Sequence, residues 1–357
     1  THAGPNCTPQ QLLSEMQQPS SVRALEASIH CWVQLYAAPS GVWTPALLSD
    51  PHKDLVHGQR MTFALTAPLQ AALSHPAAGA GQCGGSECFA FCASSLKAGV
   101  FAAGQALQEL RTAASNAPQS SSSSSSSMDC RRIVYALLQA AMTADVAMAA
   151  CSSLAGSSSN ASTSNSDVSQ LRPAWQLLSA HSLHAFGSIL LAVHADGLLP
   201  VAVQQELPAE LLCVLQSVAT AVAWTGTLLS TMQQQAAAAA AALPPGSEQG
   251  NDRVLSLVQQ QECVSEMCGR FLTTADSSSS SSLQGSAGLR LQWLLAIKGV
   301  VSAETARQLM HFAAALSGCF PSKLCCNAPG CTNLAKFSEL EVVGGKACTC
   351  SGCRTAR

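Results

Sequence analysis

The last part of the sequence carries the most specific signal in this chain. Six cysteines lie within the 29 positions from Cys325 to Cys353, in two clusters with Asn, Pro and Gly around them. Zinc takes four thiolate or imidazole ligands in a tetrahedron. Two ligands from each of two tight turns supply such a shell at low entropic cost. The segment therefore predicts a small metal-binding unit next to whatever the rest of the chain forms.

Four of the six cysteines have the spacing of a zinc site. Cys326 and Cys331 have four residues between them, Cys350 and Cys353 have two, and 18 residues separate the pairs. Two short pairs about 15–20 residues apart are typical of zinc ligation. We therefore predict Cys326, Cys331, Cys350 and Cys353 as metal ligands and zinc as the cofactor. The alternative is an unfolded cysteine-rich tail.

The same segment resembles the first half of a MYND-type zinc finger. The resemblance covers about 32 of the 357 residues. It rests on the run CNAPGCTNL from position 326, on Ser338-Glu339, and on the pattern C-x-C-x-x-C-R-x-A-R that ends at Arg357. MYND fingers are protein-interaction modules that take proline-containing peptides. The resemblance thus implies a structural zinc and a protein partner, in particular a proline-containing peptide.

The family pattern continues beyond the residues that match here. An aromatic residue and further Cys and His ligands follow, and the four ligand pairs hold two zinc ions in a cross-brace. This sequence ends at Arg357, where the third pair of the family begins, so the resemblance implies a finger truncated after its second pair. Cross-bracing would place the two pairs of this chain on different metals. Two outcomes stay open: the finger does not form, or all four thiols bind one zinc.

Before the tail, the sequence predicts helices and no strand longer than four residues. Apolar residues recur every three to four positions, which is typical of helices with one buried face. We predict about nine to eleven helices and an all-α fold, arranged as an irregular helical solenoid or a multi-helix bundle with serine-rich loops. The predicted helices cover approximately 8–18, 22–38, 56–74, 86–115, 131–155, 168–194 (in two pieces), 207–243 (as one helix or two), 251–274 and the hairpin 288–318.

Changes in composition divide the chain. Ser120 to Ser127 form an unbroken serine run with no apolar residue, and we expect a disordered linker or a loop tip there. In the last hairpin, Ser302 is the predicted N-cap of the second arm. The resulting domains are N-terminal helices at 1–118, a serine-rich linker at 119–128, a helical body with low-complexity loops at 129–320 and the partial finger at 321–357.

Charge and hydropathy argue against two classes of partner. The net charge is −2 and the 18 basic residues are scattered, so we expect no nucleic-acid binding. From Leu211 to Met232 there are 22 residues without a charge, enough to span a bilayer. This stretch contains Gln216 and lacks flanking basic residues, which favours a buried helix and no membrane partner. A membrane-associated protein is the weaker alternative.

The cysteine count bears on the compartment. The chain has 17 cysteines, is long and begins without a signal-peptide pattern, so we expect a reducing, intracellular location, cytoplasmic or nuclear. Most cysteines then serve as small buried apolar residues. We expect this for the pairs Cys88/Cys92 and Cys263/Cys268. Cys325 is a spare thiol that can substitute in the metal site, as can the one at position 348.

Other candidate chemistry is weak. The glycine pattern at 79–84 has no strand before it, so it does not predict a dinucleotide loop. His181 and His184 lack the intervening Glu of a metalloprotease, and we expect surface or hydrogen-bonded core histidines. The favoured function is a non-enzymatic interaction scaffold with a zinc-finger tail. The alternative is an enzyme with its catalytic site in the helical body and an accessory finger.

Overall fold

Seven helices make up most of the part of the chain that the structure describes. The structure is a computed structural model, and it describes residues 18–37, 85–116, 124–157, 165–195, 209–241, 256–268 and 301–334, together with positions 340 and 350. The helices α1 to α7 are, in chain order, Pro19–Ala37, Ser86–Asn116, Ser124–Ser157, Asn165–Ala195, Ala209–Ala241, 256–268 and Ala303–Ser317. These ranges contain no strand, so the predicted all-α fold is confirmed.

Helix α4 lies at the centre of the bundle. It packs against α2, α3, α5 and α7, while α1 packs on α2 and α3 packs on both α2 and α5. Helix α6 is joined to α5 by a hydrogen bond of 3.1 Å from Gln261 Nε2 to the Val222 carbonyl. One hydrophobic core runs through all seven helices. The arrangement is a helical bundle, one of the two predicted architectures, and the helical solenoid stays a prediction.

The central position of α4 follows from its sequence. It is apolar on most of its circumference, as expected for a helix surrounded by others. Trp175 is fully buried, and its ring meets Phe89 of α2 edge-on at a centroid distance of 5.3 Å. Gly187 lies where α4 meets α7, and a Cβ added there would be 2.8 Å from the Ala306 carbonyl oxygen. Because that residue has no side chain, the two helix backbones can approach closely.

Local signals predicted two helices closely. The predicted helix at 86–115 is α2, which ends one residue later. Ser302 caps α7 as predicted, since its Oγ accepts a hydrogen bond of 3.1 Å from the Thr305 amide. The inward-facing residues of α7 include Leu309, Phe312 and Leu316, all of which are buried.

Two predictions about helix bounds were wrong. Helix α3 begins at Ser124, inside the serine run that we expected to be a linker or a loop. Serine has only a moderate helix cost, so a well-packed helix can extend through it. Helix α4 is one continuous element although Pro173 lies inside it. The interior proline costs about 3 kcal/mol, and the burial of Trp175 and Leu178 in the following turn offsets this cost.

Several predicted features lie outside the described residues. These are most of the helix at 8–18, the helix at 56–74, the glycine pattern at 79–84 and the first arm of the hairpin at 288–300. The predicted division into domains also stays a prediction.

Three helices are apolar over a long stretch. Segments of two of them, Arg132–Leu154 in α3 and Gln170–Ala195 in α4, are long and apolar enough to cross a membrane. Most of each segment is buried inside the bundle. The uncharged stretch of α5 has an exposed side that carries Gln216, Thr220 and Thr227, while the opposite side packs into the core. All three helices therefore bury apolar surface against other helices.

Candidate metal centre

The chain after α7 turns back over the bundle and forms a compact loop. We call residues 326–334 the knuckle, because they carry the first predicted ligand pair. The Ser322 amide donates to Asn327 Oδ1 at 2.8 Å, which joins the segment before the knuckle to the knuckle itself. The Cys331 amide donates to the Ala328 carbonyl at 3.2 Å, which closes a tight turn. Phe320 before the knuckle and Leu334 at its end both lie in the main hydrophobic core.

Glycine is required at one position of this turn. Gly330 has a φ of +77°, in the left-handed region that L-residues with a side chain rarely adopt. A Cβ at this position would also be 3.0 Å from Cε1 of His184 on α4. Both the backbone conformation and the close approach to α4 therefore favour glycine directly before Cys331.

Three cysteine sulfurs meet at the knuckle. The Sγ atoms of Cys326, Cys331 and Cys350 all lie within 4.8 Å of one another. Cys331 Sγ and Cys350 Sγ are 3.8 Å apart, far beyond the roughly 2.05 Å of a disulfide. Cys326 and Cys350 are buried and Cys331 is half-buried. Three soft donor atoms in this arrangement are positioned to hold one metal ion.

A neighbouring amide supports this cysteine group. Asn333 Nδ2 donates to Cys350 Sγ at 3.5 Å. Hydrogen bonds to a thiolate stabilise its charge and orient its lone pairs toward a metal. Asn333 thus joins the knuckle to the second predicted ligand pair, 17 residues further along the chain.

The structure brings together three of the four predicted ligands. Cys353 lies outside the described residues, so its place in the site stays a prediction. Cys350 stands beside Cys331, whereas the cross-brace of the resembled family would assign these two residues to different metals. Cys325, predicted as a spare ligand, lies in the main hydrophobic core and not in the group of three. The other spare, at position 348, lies outside the described residues.

A small cavity lies between the knuckle and the bundle. Its volume is about 20 Å³, enough for one water molecule. It is lined on the bundle side by Lys97, Leu178 and His181, and on the other side by Gly330 and Cys331. The cavity therefore lies directly behind one of the three clustered cysteines.

His181 and His184 are not the surface or fully bonded histidines that we expected. Among the described residues, His181 Nε2 and His184 Nδ1 are buried without a hydrogen-bond partner. Burial lowers the pKa of His181 to about 3, the nearby Lys97 charge lowers it further, and a hydrogen bond with the Asn327 backbone opposes the shift. Burial also lowers the pKa of His184. Both imidazoles are therefore neutral at pH 7.

Several other cysteines are deeply buried. Burial raises the pKa of the Cys151 and Cys268 thiols to about 12. Burial, together with the charges of Cys88 and Glu26, raises the pKa of Cys92 well above its usual value. A thiol that stays protonated is a poor metal ligand and a poor nucleophile. The buried-thiol interpretation is therefore confirmed for Cys88, Cys92 and Cys268, whereas Cys263 is exposed.

Sequence reasoning missed a buried polar network formed by Ser94, His30 and Glu26. Ser94 Oγ donates to Glu26 Oε1 at 2.9 Å, and His30 Nε2 lies 2.8 Å from Ser94 Oγ. In a catalytic triad the carboxylate would bind the other ring nitrogen of the histidine, but here His30 Nδ1 faces the Leu334 carbonyl. All three side chains are closed to solvent. The network therefore has a structural role. No local sequence signal could link Ser94 to Glu26 and His30, because they lie more than 60 residues apart in the sequence.

Comparison with protein-family models, with curated proteins and with solved structures found no match for this chain. The geometry of the cysteine group therefore carries the functional argument, together with the residues of the knuckle itself.

Proposed function

We propose that this chain is a non-enzymatic interaction scaffold in which a helical bundle carries a MYND-like zinc knuckle. The observation that carries the proposal is the convergence of Cys326, Cys331 and Cys350 within 4.8 Å. Two of these residues come from the first predicted pair and one from the second. Cys353, three positions after Cys350, is the fourth ligand in this proposal.

The sulfur spacing supports zinc. Two thiolates bound to one tetrahedral zinc at about 2.3 Å lie about 3.8 Å apart. The measured separation of Cys331 Sγ and Cys350 Sγ is 3.8 Å. Both predicted pairs then serve a single metal, which is the second of the two outcomes that the sequence left open. Four thiolates leave no open coordination position, so the zinc is structural and does not take part in catalysis.

The proposed partner is a proline-containing peptide. This part of the proposal rests on the resemblance of the knuckle to MYND fingers, which take such peptides. The low charge of the chain agrees with it, because proline-rich segments are recognised mainly by apolar contact and shape. The bundle would hold the knuckle in a fixed orientation for the partner.

Peptide binding is expected to require both the metal and proline. The full chain, loaded with zinc, is tested against an array of synthetic proline-containing peptides, each paired with a version in which every proline is replaced by alanine. At least one peptide should bind, and both the alanine version and removal of zinc by a chelator should abolish its binding. Failure of all peptides to bind, or binding that survives loss of the metal, would contradict the proposed function.

A further inference from the structure

Side chains from three helices of the bundle hold the backbone of the knuckle. From α1, Gln34 Nε2 donates to the Leu334 carbonyl at 2.9 Å, and His30 Nδ1 lies 3.3 Å from the same oxygen. From α2, Lys97 Nζ donates to the Asn333 carbonyl at 3.5 Å. These contacts fix Asn333 and Leu334, which follow Cys331 by two and three residues.

A fourth contact fixes the segment between the first two cysteines. His181 of α4 hydrogen-bonds the backbone of Asn327, the residue directly after Cys326. Both ends of the knuckle, Asn327 on one side and Asn333 with Leu334 on the other, are thus bound to the bundle through their backbone.

The side chains that make these contacts are themselves held in place. His30 is fully buried and contacts Ser94, whose hydroxyl donates to Glu26. Lys97 is 7% exposed, so little of its side chain is in contact with water. Its bond to the Asn333 carbonyl helps to hold the ammonium group in place. Groups that are held in this way set the orientation of what they bind. The bundle therefore presents a rigid set of polar groups to the knuckle.

We infer that the bundle is part of the metal site: Gln34, Lys97, His30 and His181 hold the knuckle in its metal-binding conformation. Metal binding and docking of the knuckle on the bundle are then thermodynamically coupled. The metal stabilises the docked state, and the bundle raises metal affinity by the same factor, since coupling between two equilibria is reciprocal. This inference rests on the proposed function, because it requires that the cysteine group binds a metal.

The coupling predicts that a substitution on α1, far from the cysteines in sequence, weakens metal binding. Gln34→Ala in the full chain should raise the dissociation constant for zinc about 10-fold, at the low end of the effect of outer ligand supports. The dissociation constant is measured by competition with a chromophoric chelator. Gln216→Ala is the matched control, because Gln216 is exposed and lies on α5, whereas the contacts to the knuckle come from α1, α2 and α4. It should leave the dissociation constant unchanged.

Lys97→Met is a second variant that keeps most of the aliphatic stem and removes the donor to Asn333. It should weaken zinc binding in the same direction. In the unaltered chain, zinc should also slow amide hydrogen exchange in α1 and α2, and this slowing should be smaller in Gln34→Ala. Unchanged zinc affinity in both variants, with zinc still bound by the unaltered chain, would overturn the inference and leave the proposed function intact. If the unaltered chain bound no zinc, the proposed function itself would fail.

Discussion

Cys326→Ser is expected to weaken zinc binding by more than about 100-fold, beyond the range seen when only an outer support is lost. Cys326 is buried, and its Sγ lies within 4.8 Å of the other two sulfurs. Serine is a harder donor that stays protonated at pH 7, so the variant loses one charged, soft ligand from the metal shell. The dissociation constant is measured by chelator competition, as for Gln34→Ala and Lys97→Met.

The adjacent cysteine supplies a matched control. Cys325 is also buried but lies in the hydrophobic core, apart from the group of three. Cys325→Ala should therefore keep its zinc, and any effect should appear as a loss of folding stability through a small cavity. If Cys325→Ala lost the metal and Cys326→Ser retained it, the assignment of the ligands would be wrong.

Gly187→Ala is expected to destabilise the bundle by about 2 kcal/mol. A Cβ at this position would be 2.8 Å from the Ala306 carbonyl oxygen and 3.0 Å from the Met310 amide nitrogen. Both are backbone atoms of α7, so the two helices must move apart. Such overpacking costs up to about 3 kcal/mol, and the better helix propensity of alanine returns about 1 kcal/mol. Chemical denaturation of the two chains measures the difference in the free energy of unfolding.

Gly104→Ala is the control for helix propensity alone. Gly104 lies in α2, is exposed, and has no heavy atom within 4 Å of the position that a Cβ would occupy. The substitution should stabilise the chain by up to about 1 kcal/mol. Equal effects of the two substitutions would show that α4 and α7 are not in close contact at Gly187.

The fold class and several helix bounds could be predicted because the signals are local. The three-to-four residue spacing of Leu309, Phe312 and Leu316, with Ser302 as cap, defines α7 without knowledge of its neighbours. The start of α3 and the continuity of α4 could not be predicted in this way. Both depend on packing energy from other helices, which overrides the serine run and the interior Pro173.

The candidate site, too, could be predicted only where its sequence signals are local. Cysteine spacing predicted that Cys326, Cys331 and Cys350 would come together, since metal ligation uses short pairs on tight turns. Spacing could not show where the knuckle docks. His30 and the Leu334 carbonyl that it contacts are 304 residues apart, and contacts at such a separation leave no pattern in a single sequence. For the same reason, the sequence did not show that Nε2 of His181 would be buried without a hydrogen-bond partner among the described residues.

The number of metal ions bound by the purified 357-residue chain decides whether the cysteine group is a single metal site. Elemental analysis by mass spectrometry, together with the protein concentration, gives the molar ratio. We expect one zinc per chain, lost when Cys326 and Cys350 are both replaced by serine. No bound metal would contradict the proposed zinc knuckle, and two zinc ions per chain would contradict the convergence of both cysteine pairs on a single site.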